Sequence, residues 1–438
     1  MINDFKYTFA EIADAINGEL IGENGTIYAI STDTREEIAE PWCFFAIKGE
    51  NFNGASYINQ AISRGAVLII TEEKIYCPVS VIYVENVRKA LGLLGKHHKG
   101  KTKIIGITGS YGKTTVKDMV ISVLEEAYSV TGTKQNYNNE IGVAKTLLSI
   151  KNEKFCVLEM GMRDLGEIEW LSYISEPETA IITGCGQAHI GVLGSKDNIF
   201  KAKCEILKYT KKQAILPYNQ LFKSLDCKEI NKIFVGENGG YFPSKIRHLG
   251  NKIELEIEKL KVKIDGIYDH NAYNAAFAYA VGKLYGISPI LIKSGLEKWK
   301  SQDGRGRVER IKGIDVINDC YNASYESVIS AIKSISVQVK DGKKAAVLLG
   351  DMLELGEMAK ELHFEVGVVC RKAKISKLFA FGKYSDYYIE GFGDGVKCDN
   401  FDRIASQVLG ELAEGDILLV KASHAVDFGK IIRKMQEI

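Results

Sequence analysis

Short apolar segments of strand length alternate with segments of helical periodicity along this chain, and this alternation predicts an α/β protein. Residues 1–98 have the pattern of a small α/β domain. Its strands are predicted at residues 27–30, 43–47, 67–70 and 81–84, and its helices at residues 8–18, 55–64 and 86–98.

The remaining residues divide into two further α/β segments. The first predicts a mostly parallel sheet, with strands at residues 155–159, 180–183 and 214–216 and helices at residues 113–127, 196–209 and 270–285. Within it, residues 232–268 alternate polar and apolar positions, which predicts an antiparallel addition. The second segment repeats the α/β alternation, with strands at residues 315–318, 345–349, 378–381 and 417–420. We therefore expect three domains, at residues 1–98, 99–300 and 301–438.

The composition is that of an ordinary soluble globular protein, and it narrows the range of partners. Of the 438 residues, 46% are hydrophobic and 26% are charged, with a net charge of +1. This balance gives no general field for nucleic acid or an anionic membrane. No apolar run approaches membrane-spanning length, and the first residues lack the basic-then-apolar order of a secretory leader. The nine cysteines are scattered singly, as reduced thiols are in a cytosolic protein. We expect a cytoplasmic protein with no nucleic-acid partner and no membrane insertion.

Residues 103–115 have the order of a phosphate-binding loop. A β-branched strand runs into glycines and then into Lys113 and two threonines at the start of a helix. Backbone N–H groups and the helix dipole favour an anion there, while Lys113 adds a charge for the β- and γ-phosphates. Thr114 would offer its hydroxyl to a magnesium ion. A glycine turn that merely contains a lysine is the less favoured alternative. The common spacing would place glycine at position 107, where this chain has isoleucine.

Two polar side chains follow strands of the central segment. Glu159 ends the apolar strand 155–159, at the edge where parallel sheets bind ligands. Beside a phosphate-binding loop this carboxylate is favoured as a magnesium ligand over a solvated group at a strand end. His189 lies in the loop after strand 180–183. A single loop histidine is more often a surface or capping group than a ligand.

Lys203 differs from its neighbour Lys201 in the predicted helix at residues 196–209. The residues three and four positions from Lys203 are all apolar, whereas those around Lys201 are mostly polar. Burial would favour the neutral amine, which can react with carbon dioxide to give a carbamate that binds metal. A lysine that extends past a packed face to solvent is an equally weighted alternative.

Further polar groups lie at helix starts and strand ends. Asn271 and Asn274 are one turn apart at the start of an alanine-rich helix, where asparagine is usually a cap. Polar clusters follow three strands of the third segment, at residues 318–324, 350–352 and 421–424. They indicate a ligand-binding edge, or else caps for the helices that follow.

Taken in order, these motifs closely resemble the Mur ligase superfamily. The family's loop has the form Thr-Gly-x-x-Gly-Lys-Thr, which residues 108–114 match, and this accounts for the isoleucine noted above. The resemblance covers nearly the whole chain, and its other segments are residues 136–142, 158–161, 166–168, 188–189, 201–203, 270–274, 318–323 and 350–356 with His363. Residues 350–356 are typical of the branch that adds D-alanyl-D-alanine. The Asp-Asn-Pro-Arg motif of the neighbouring diaminopimelate- or lysine-adding branch is absent.

The resemblance implies the three-domain Mur ligase architecture. A small N-terminal α/β domain would bind the UDP substrate, a P-loop ATPase-like domain with a mostly parallel sheet would bind ATP, and a Rossmann-like domain would complete the ligase. The implied reaction joins D-Ala-D-Ala to a UDP-MurNAc-tripeptide through an acyl phosphate, the last cytoplasmic step of peptidoglycan precursor synthesis. The implied cofactors are ATP and Mg²⁺ at two sites, and we expect a monomer.

The family's functional residues transfer to matching positions of this chain. Lys113 and Thr114 would hold the phosphates and, with Glu159, the first magnesium ion, whereas His189 and N-carbamylated Lys203 would hold the second. The residues implied for catalysis are Lys113, Lys203, His189 and Glu159. Those implied for ATP are Gly109, Ser110, Gly112, Lys113, Thr114, Thr115, Asn271, Asn274, Arg307 and Asp319. Those implied for the peptide and nucleotide substrates are Ser31, Thr32, Asp33, Arg35, Lys48, Gly49, Asn136, Asn138, Asn139, Tyr321, Asn322 and Ser324.

Some positions depart from the family or leave a choice open. Arg307 is chosen as the phosphate-contacting arginine because Val308 and Glu309 follow it, and Arg305 is its rival. Tyr111 stands where the family often has asparagine or a small residue, and His424 replaces a frequent arginine. The third residue of the tripeptide stays open between diaminopimelate and lysine.

Three alternatives carry different activities. Folylpolyglutamate synthase uses the same ATP chemistry, but that family starts close to its ATP loop, whereas here about 98 residues precede it. A non-catalytic binding subunit of the same fold is disfavoured by the intact set of candidate catalytic residues. A GTPase-like switch would need an Asn-Lys-x-Asp motif, which is absent.

Overall fold

The computed structural model describes residues 5–49, 52–134, 136–186, 190–227, 229–339 and 343–438. Its described residues form separate sheets flanked by helices, arranged in sequence order along the chain. The expected α/β class with a central parallel sheet is therefore confirmed. None of the helices in these ranges is long and apolar enough to cross a membrane.

The N-terminal segment is built on a five-stranded sheet of order β2-β7-β6-β5-β4, in which only the β2–β7 pair is antiparallel. Thr8 begins the first helix, because its hydroxyl accepts from the Glu11 N–H while the Glu11 carboxylate accepts from the Thr8 N–H. The strands are β1 Tyr7–Thr8, β2 Glu19–Ile21, β3 Thr26–Ile27, β4 Ala29–Ser31, β5 Trp42–Phe45, β6 Ala66–Thr71 and β7 Ser80–Tyr83. The helices are α1 Phe9–Ile16, α2 Ile58–Ser63 and α3 Val87–His98, with a 3-10 turn at Gly54–Tyr57.

A seven-stranded, all-parallel sheet of order β14-β13-β12-β11-β8-β10-β9 forms the centre of the molecule. The strands are β8 Lys103–Thr108, β9 Val130–Gly132, β10 Phe155–Glu159, β11 Thr179–Ile182, β12 Gln213–Pro217, β13 Asn231–Val235 and β14 Gly240–Tyr241. The helices up to residue 223 are α4 Lys113–Leu124, α5 Glu140–Leu148, α6 Glu167–Ser175, α7 Ile190–Leu193, α8 Lys196–Cys204 and α9 Gln220–Lys223, with a 3-10 turn at Glu205–Tyr209.

An antiparallel sheet follows, but it begins later than the sequence pattern predicts. The alternation from residue 232 predicted antiparallel pairing, whereas β13 pairs in parallel with β12. The residues of β13 do not themselves alternate, since two polar residues precede three apolar ones, and the true alternation begins with the later strands of the segment. The antiparallel strands are β15 Ser244–Leu249, β16 Lys252–Ile257 and β17 Leu260–Asp265, followed by α10 Asp269–Leu284 and α11 Pro289–Lys298.

The C-terminal segment has a six-stranded sheet of order β18-β19-β23-β20-β21-β22, in which only β18 is antiparallel. Its strands are β18 Arg307–Ile311, β19 Ile314–Asp319, β20 Ala345–Leu349, β21 Lys377–Ala380, β22 Val396–Lys397 and β23 Ile417–Lys421. Its helices are α12 Tyr325–Ser336, α13 Ala359–Lys372, α14 Ser385–Phe392, α15 Ile404–Gly410 and α16 Gly429–Glu437, with 3-10 turns at Gly356–Met358 and His424–Val426. Because β19, β23 and β20 are neighbours, their polar carboxyl ends lie on one edge, as the sequence predicts.

Candidate active site

The phosphate-binding loop lies at the carboxyl end of β8, between the neighbouring strands β10 and β11. Gly112 precedes α4 with a φ of 75°, and a Cβ there would lie 2.8 Å from the Asn274 Oδ1 atom. Glycine is required at this position by its backbone angle and by the close approach of α10. The Lys113 Nζ atom donates to the Gly109 carbonyl at 2.8 Å, which folds the side chain over the loop. Burial lowers the pKa of Lys113, and the charge of Arg305 lowers it further against the opposing effect of Glu159.

Glu159 lies beside this loop because β10 pairs in register with β8. The Thr114 hydroxyl donates to one oxygen of its carboxylate at 2.7 Å, and Asn138 Nδ2 donates to the other at 2.9 Å. The backbone N–H of Glu159 donates to the Thr133 hydroxyl. The side chain is buried, so its charge is directed at the loop and away from bulk solvent. The alternative of a solvated carboxylate is excluded.

These oxygens suit magnesium better than a metal that needs several protein side chains. Within the described ranges, no group of three or more His, Cys, Asp and Glu side chains could hold a metal ion. A threonine hydroxyl and one carboxylate do form a pair of hard oxygen ligands at the phosphate loop. Mg²⁺ is commonly held by one or two carboxylates together with substrate phosphates and water. The residues therefore fit a magnesium–nucleotide complex.

Lys203 points into the protein, as predicted by the sequence interpretation in which its amine is buried. Its side chain is 0% exposed, whereas Lys201 of the same helix is exposed. The Nζ atom has no hydrogen-bond partner among the described residues. Burial, reinforced by the charge of Lys113, lowers the pKa of this amine to about 7. The alternative in which the amine extends to solvent is therefore excluded.

His189, expected beside Lys203, falls outside the described residues. The preceding loop can be followed as far as Gly186. The Tyr111 ring lies against Gly184, and the Glu326 carboxylate of α12 lies against Gly186. Burial and the nearby Glu326 charge both raise the pKa of Tyr111.

Asn271 and Asn274 are not helix caps. The cap position of α10 is Tyr268, which makes no side-chain capping bond, and both asparagines are buried. The Asn274 Oδ1 atom faces Gly112, and its Nδ2 atom lacks a partner in the described structure. His270 stacks on Tyr268, and burial lowers its pKa to about 4. Asn274 thus presents its amide group at the loop, where a ligand could use it, whereas the Asn271 amide lies against Gly266.

Asp319, Arg305 and Arg307 of the C-terminal segment are placed differently. Asp319 ends β19, accepting from Lys421 Nζ at 2.7 Å and from the Tyr268 hydroxyl at 3.3 Å. Arg305 stacks over the Tyr321 ring at 3.8 Å and lies near enough to Lys113 to affect its pKa. Arg307 is exposed on β18. The geometry therefore favours Arg305 over Arg307, the arginine that the sequence pattern predicts.

The other polar groups at this sheet edge have structural partners. Ser324 forms a capping box with Ser327 at the start of α12. Lys421 donates to the Asn322 carbonyl, and Asn322 accepts from the next backbone N–H with its own side chain. Tyr321 contacts the His424 ring edge to face, with centroids 5.6 Å apart. Caps and ligand-facing groups thus occur together at the same strand ends.

The residues expected at the uridine nucleotide form a separate group on the N-terminal sheet. Ser31 accepts from the Asp33 N–H at 2.9 Å, and Arg35 binds the Asp33 carboxylate. The Arg35 hydrogen bonds lower the pKa of Asp33 to about 2. Thr32 is partly buried, Lys48 is exposed and Gly49 is partly buried. The structure does not bring this group into contact with the phosphate loop.

The asparagine-rich segment is divided between two roles. Asn138 reaches Glu159 as described, whereas Asn139 caps α5 by accepting from the Gly142 N–H at 2.9 Å. Asn136 is exposed. Of these three asparagines, Asn138 contacts the phosphate-loop site.

Lys117 is a site residue that sequence reasoning missed. It lies one turn after Lys113, is buried, and donates to the Thr133 carbonyl at 2.9 Å while pairing with Asp118. It thereby fixes the segment whose threonine holds the Glu159 backbone. The neighbour test that distinguished Lys203 from Lys201 gives a mixed result here, because Val120 and Ile121 are apolar but the two preceding neighbours are polar.

Comparisons with known proteins give relatives of the same family by sequence and by structure. The family "Mur ligase middle domain" matches residues 107–282, and "Mur ligase, glutamate ligase domain" matches residues 306–424. The UDP-N-acetylmuramoyl-tripeptide–D-alanyl-D-alanine ligase of Bacillus subtilis is 33% identical over 99% of both chains. The MurF crystal structure I from Acinetobacter baumannii is 26% identical, covers 100% of both chains and superposes with a TM-score of 0.93. The MurF ligase of Thermotoga maritima in complex with ADP is 27% identical and has a TM-score of 0.86, covering 93% of this chain and 97% of that one.

Proposed function

Since this chain belongs to the Mur ligase family, we propose that the site on its central sheet activates a carboxylate with ATP and joins it to an amine. The chain is an ATP-dependent amide ligase of the D-alanyl-D-alanine-adding branch, and it acts in peptidoglycan precursor synthesis. Its substrates are a UDP-MurNAc-tripeptide and D-Ala-D-Ala. The observation that carries the proposal is the phosphate loop with Glu159 on one side and the buried, unpartnered Lys203 nearby.

Lys113 is proposed to bind the β- and γ-phosphates of ATP. Its amine already lies over the loop, hydrogen-bonded to Gly109, so phosphate oxygens would replace one carbonyl as its acceptor. The backbone N–H groups of Gly112 and Thr115 lie at the N-terminus of α4, where the helix dipole favours negative charge, whereas the Ser110 N–H donates to the Gly184 carbonyl at 2.9 Å. The Ser110 hydroxyl has no partner in the described structure and is available to a phosphate.

Thr114 and Glu159 are proposed to hold the first magnesium ion. When bound, magnesium neutralises charge on the phosphates that react. Asn138 keeps one Glu159 oxygen oriented, so that the other faces Thr114. Lys117 donates to the Thr133 carbonyl, and the Thr133 hydroxyl in turn accepts from the Glu159 backbone N–H, so Lys117 helps to hold Glu159 in place.

Lys203 is proposed to carry a carbamate that holds the second magnesium ion together with His189. Its neutral amine would form a bond to the carbon of CO₂ and release one proton, which gives an anionic carboxylate on the nitrogen. The buried Nζ atom without a partner fits this modification, since a bare amine there satisfies none of its hydrogen bonds. An anionic group would also relieve the unfavourable proximity to Lys113.

The adenosine of ATP is proposed to lie between α10 and the C-terminal sheet. Asn271 and Asn274 offer amides for the base, and Asp319 offers a carboxylate for the ribose. Arg305, and not Arg307, is proposed to contact the phosphates, because its guanidinium stacks on Tyr321 and lies near Lys113. Arg305 would reach the phosphates from the C-terminal domain.

The N-terminal domain is proposed to hold the uridine nucleotide through Ser31, Thr32, Asp33, Arg35, Lys48 and Gly49. The muramoyl peptide would pass Asn136, Asn138 and Asn139 towards the phosphate loop. D-Ala-D-Ala would approach from Tyr321, Asn322 and Ser324. We also propose the domain limits 1–98, 99–300 and 301–438, with the active form a cytoplasmic monomer.

The reaction forms one amide for each ATP cleaved to ADP and phosphate. The tripeptide carboxylate attacks the γ-phosphorus, ADP leaves, and an acyl phosphate results. The D-Ala-D-Ala amine then attacks the acyl carbon, and phosphate leaves with the bonding electrons while the amine loses a proton. Lys113 and Arg305 stabilise the charge that spreads over the transferring phosphoryl group. Because groups from separate domains meet here, closure would exclude water from the acyl phosphate.

The direct test measures phosphate release with ATP and each candidate nucleotide tripeptide, with D-Ala-D-Ala present or omitted. We expect stoichiometric ADP, phosphate and pentapeptide product only when all three substrates are present. Running diaminopimelate- and lysine-containing tripeptides side by side identifies the third residue. Labelled D-Ala-D-Ala that fails to enter either nucleotide, while glutamate enters a folate, would reverse the proposal.

A further inference from the structure

The C-terminal domain touches the central domain through a contact between two glycines. The Gly191 N–H of α7 donates to the Glu354 carbonyl at 3.2 Å. A Cβ on Gly191 would lie 2.5 Å from the Gly356 nitrogen and 2.8 Å from that carbonyl oxygen. Both atoms belong to the backbone, so they cannot rotate away as a flexible side chain could. The two domains can be this close only because residue 191 has no side chain.

Met358 reinforces the same contact with its side chain. It follows Gly356 in the 3-10 turn Gly356–Met358 and packs against the buried cluster of the C-terminal domain. It also packs against the buried cluster of the central domain that includes Ile190 and Leu193 of α7. Glycine backbone contact and a bridging methionine thus make one docking surface between α7 and residues 354–358.

The C-terminal half of this docking surface is held rigidly. The His363 Nε2 atom accepts from the Met352 N–H at 3.0 Å, and its Nδ1–H donates to the Ala359 carbonyl. The Asp351 carboxylate accepts from the N–H groups of Lys383 and Tyr384. Residues 354–358 therefore move together with the C-terminal domain. The contact with α7 thus fixes the position of that whole domain.

The contact is placed where it can affect chemistry. α7 lies between β11 and α8, the helix that carries Lys203. The same C-terminal domain brings Arg305 towards Lys113. Gln302, three residues before Arg305, donates to Asp118 of α4 at 2.6 Å. A displacement at α7 would thus change the distance between Arg305 and the phosphate loop.

We propose that Gly191 is a positioning residue for the ligation reaction: by admitting residues 354–356 against α7, it sets the domain orientation in which Arg305 faces Lys113. The inference rests on the proposed ligase function for its kinetic consequence, but the docking itself does not. Gly191 has an ordinary helical backbone angle, so alanine there disturbs the contact and leaves α7 free to form.

The test compares Gly191→Ala with Gly410→Ala in the full-length enzyme. Gly410 ends α15, has no positive φ, and a Cβ there meets nothing within 4 Å, so it is a matched control. For Gly191→Ala we expect an unchanged melting temperature, a KM for ATP within about threefold, and a kcat lower by about tenfold or more. Hydrogen exchange of the backbone amide of residue 191 should be faster than in the wild type. With Mg²⁺ and a non-hydrolysable ATP analogue bound, small-angle scattering should show a larger radius of gyration than that of the wild type. Gly410→Ala should match the wild type in every measurement.

A second variant removes the contact without a clash. Met358→Ala should accelerate the same amide exchange and lower kcat in the same direction, which keeps the inference testable if Gly191→Ala folds poorly. The proposal would be overturned if Gly191→Ala kept both the wild-type kcat and the wild-type amide exchange. If Gly191→Ala folds poorly, the same result in Met358→Ala would overturn it. If the wild type itself forms no ADP, the ligase proposal fails, and exchange and scattering still decide whether α7 docks the C-terminal domain.

Discussion

The Thr114 hydroxyl donates to the Glu159 carboxylate at 2.7 Å, across 45 residues of sequence. The contact exists because β8 and β10 pair in parallel and in register, so that the loop after one strand meets the last residue of the other. It unites the two oxygen ligands that magnesium would need beside a phosphate. We therefore expect Glu159→Gln, which keeps the shape and removes the charge, to lower ADP formation by about 10- to 100-fold.

The measurement for this variant is a magnesium titration of ADP formation, in which the half-saturating concentration should rise. Glu169→Gln, which changes a partly exposed glutamate paired with Lys208, serves as the control and should behave as the wild type. A Glu159→Gln enzyme with the wild-type magnesium dependence would show that this carboxylate does not bind the metal.

The paired lysines of α8 give a second prediction. Lys203→Ala should lose most activity, and added bicarbonate should not restore it, because no amine remains to carry the carbamate. Lys201→Ala, two residues away but exposed, should retain wild-type turnover. Mass spectrometry should detect the 44 Da adduct on Lys203 in wild-type protein handled gently at neutral pH. Undiminished turnover in Lys203→Ala would remove the carbamate from the mechanism.

Stability should depend on pH through Lys203. Its pKa is about 7 in the folded protein against 10.5 as the reference for the unfolded chain, so the unfolded state binds more protons between these values. Folding stability contributed by this group therefore rises with pH through that window, by at most about 1.4 kcal/mol per pH unit, and is constant below pH 7. Lys203→Met should lack this rise and should be more stable than the wild type near pH 6.

The measurement is urea denaturation at pH 6, 7, 8 and 9 in buffer freed of carbon dioxide, with wild type and Lys203→Met compared at each pH. Other titrating groups contribute equally to both proteins, so the difference isolates Lys203. A difference that stays constant from pH 6 to pH 9 would mean that the amine is not titrating in the folded protein as described.

The two neighbouring arginines give a fourth prediction. Arg305→Ala should lower kcat by about 100-fold or more, because its guanidinium stacks on Tyr321 and lies near Lys113. Arg307→Ala should stay within about threefold of the wild type, since its side chain is exposed on β18. Arg305→Lys should recover little, as lysine loses the planar stacking. Equal losses for Arg305→Ala and Arg307→Ala would contradict this assignment.

Much of the fold was predictable because local patterns and strand order agree. The strands at residues 155–159 and 345–349 were predicted to the residue, since each is a continuous buried apolar run bounded by polar residues. β13 was assigned to the wrong kind of sheet, because the predicted antiparallel segment began at residue 232, whereas the alternating strands are β16 and β17. Short strands such as β9 and β2 carry too few residues to show any period.

A site residue was predictable where the residues that surround it belong to the same helix or strand. The apolar residues near Lys203 in the chain indicated that this residue packs against the protein. They did not decide whether its amine is buried or extends to solvent. Asn271 and Asn274 read as caps from their position in the sequence, and only the packing of α10 against the phosphate loop removed that role. Local sequence describes which way a side chain faces along its helix, but not what lies opposite.

The sequence by itself determined the phosphate loop, the order of the α/β segments and the family resemblance, because each depends on residues close together in the chain. The tertiary structure decided which arginine reaches the loop, which asparagine holds Glu159, and that Gly191 admits the C-terminal domain. These depend on the register of β8 with β10 and on how whole domains pack. Such relations arise from contacts between residues far apart in the chain, and no local period records them.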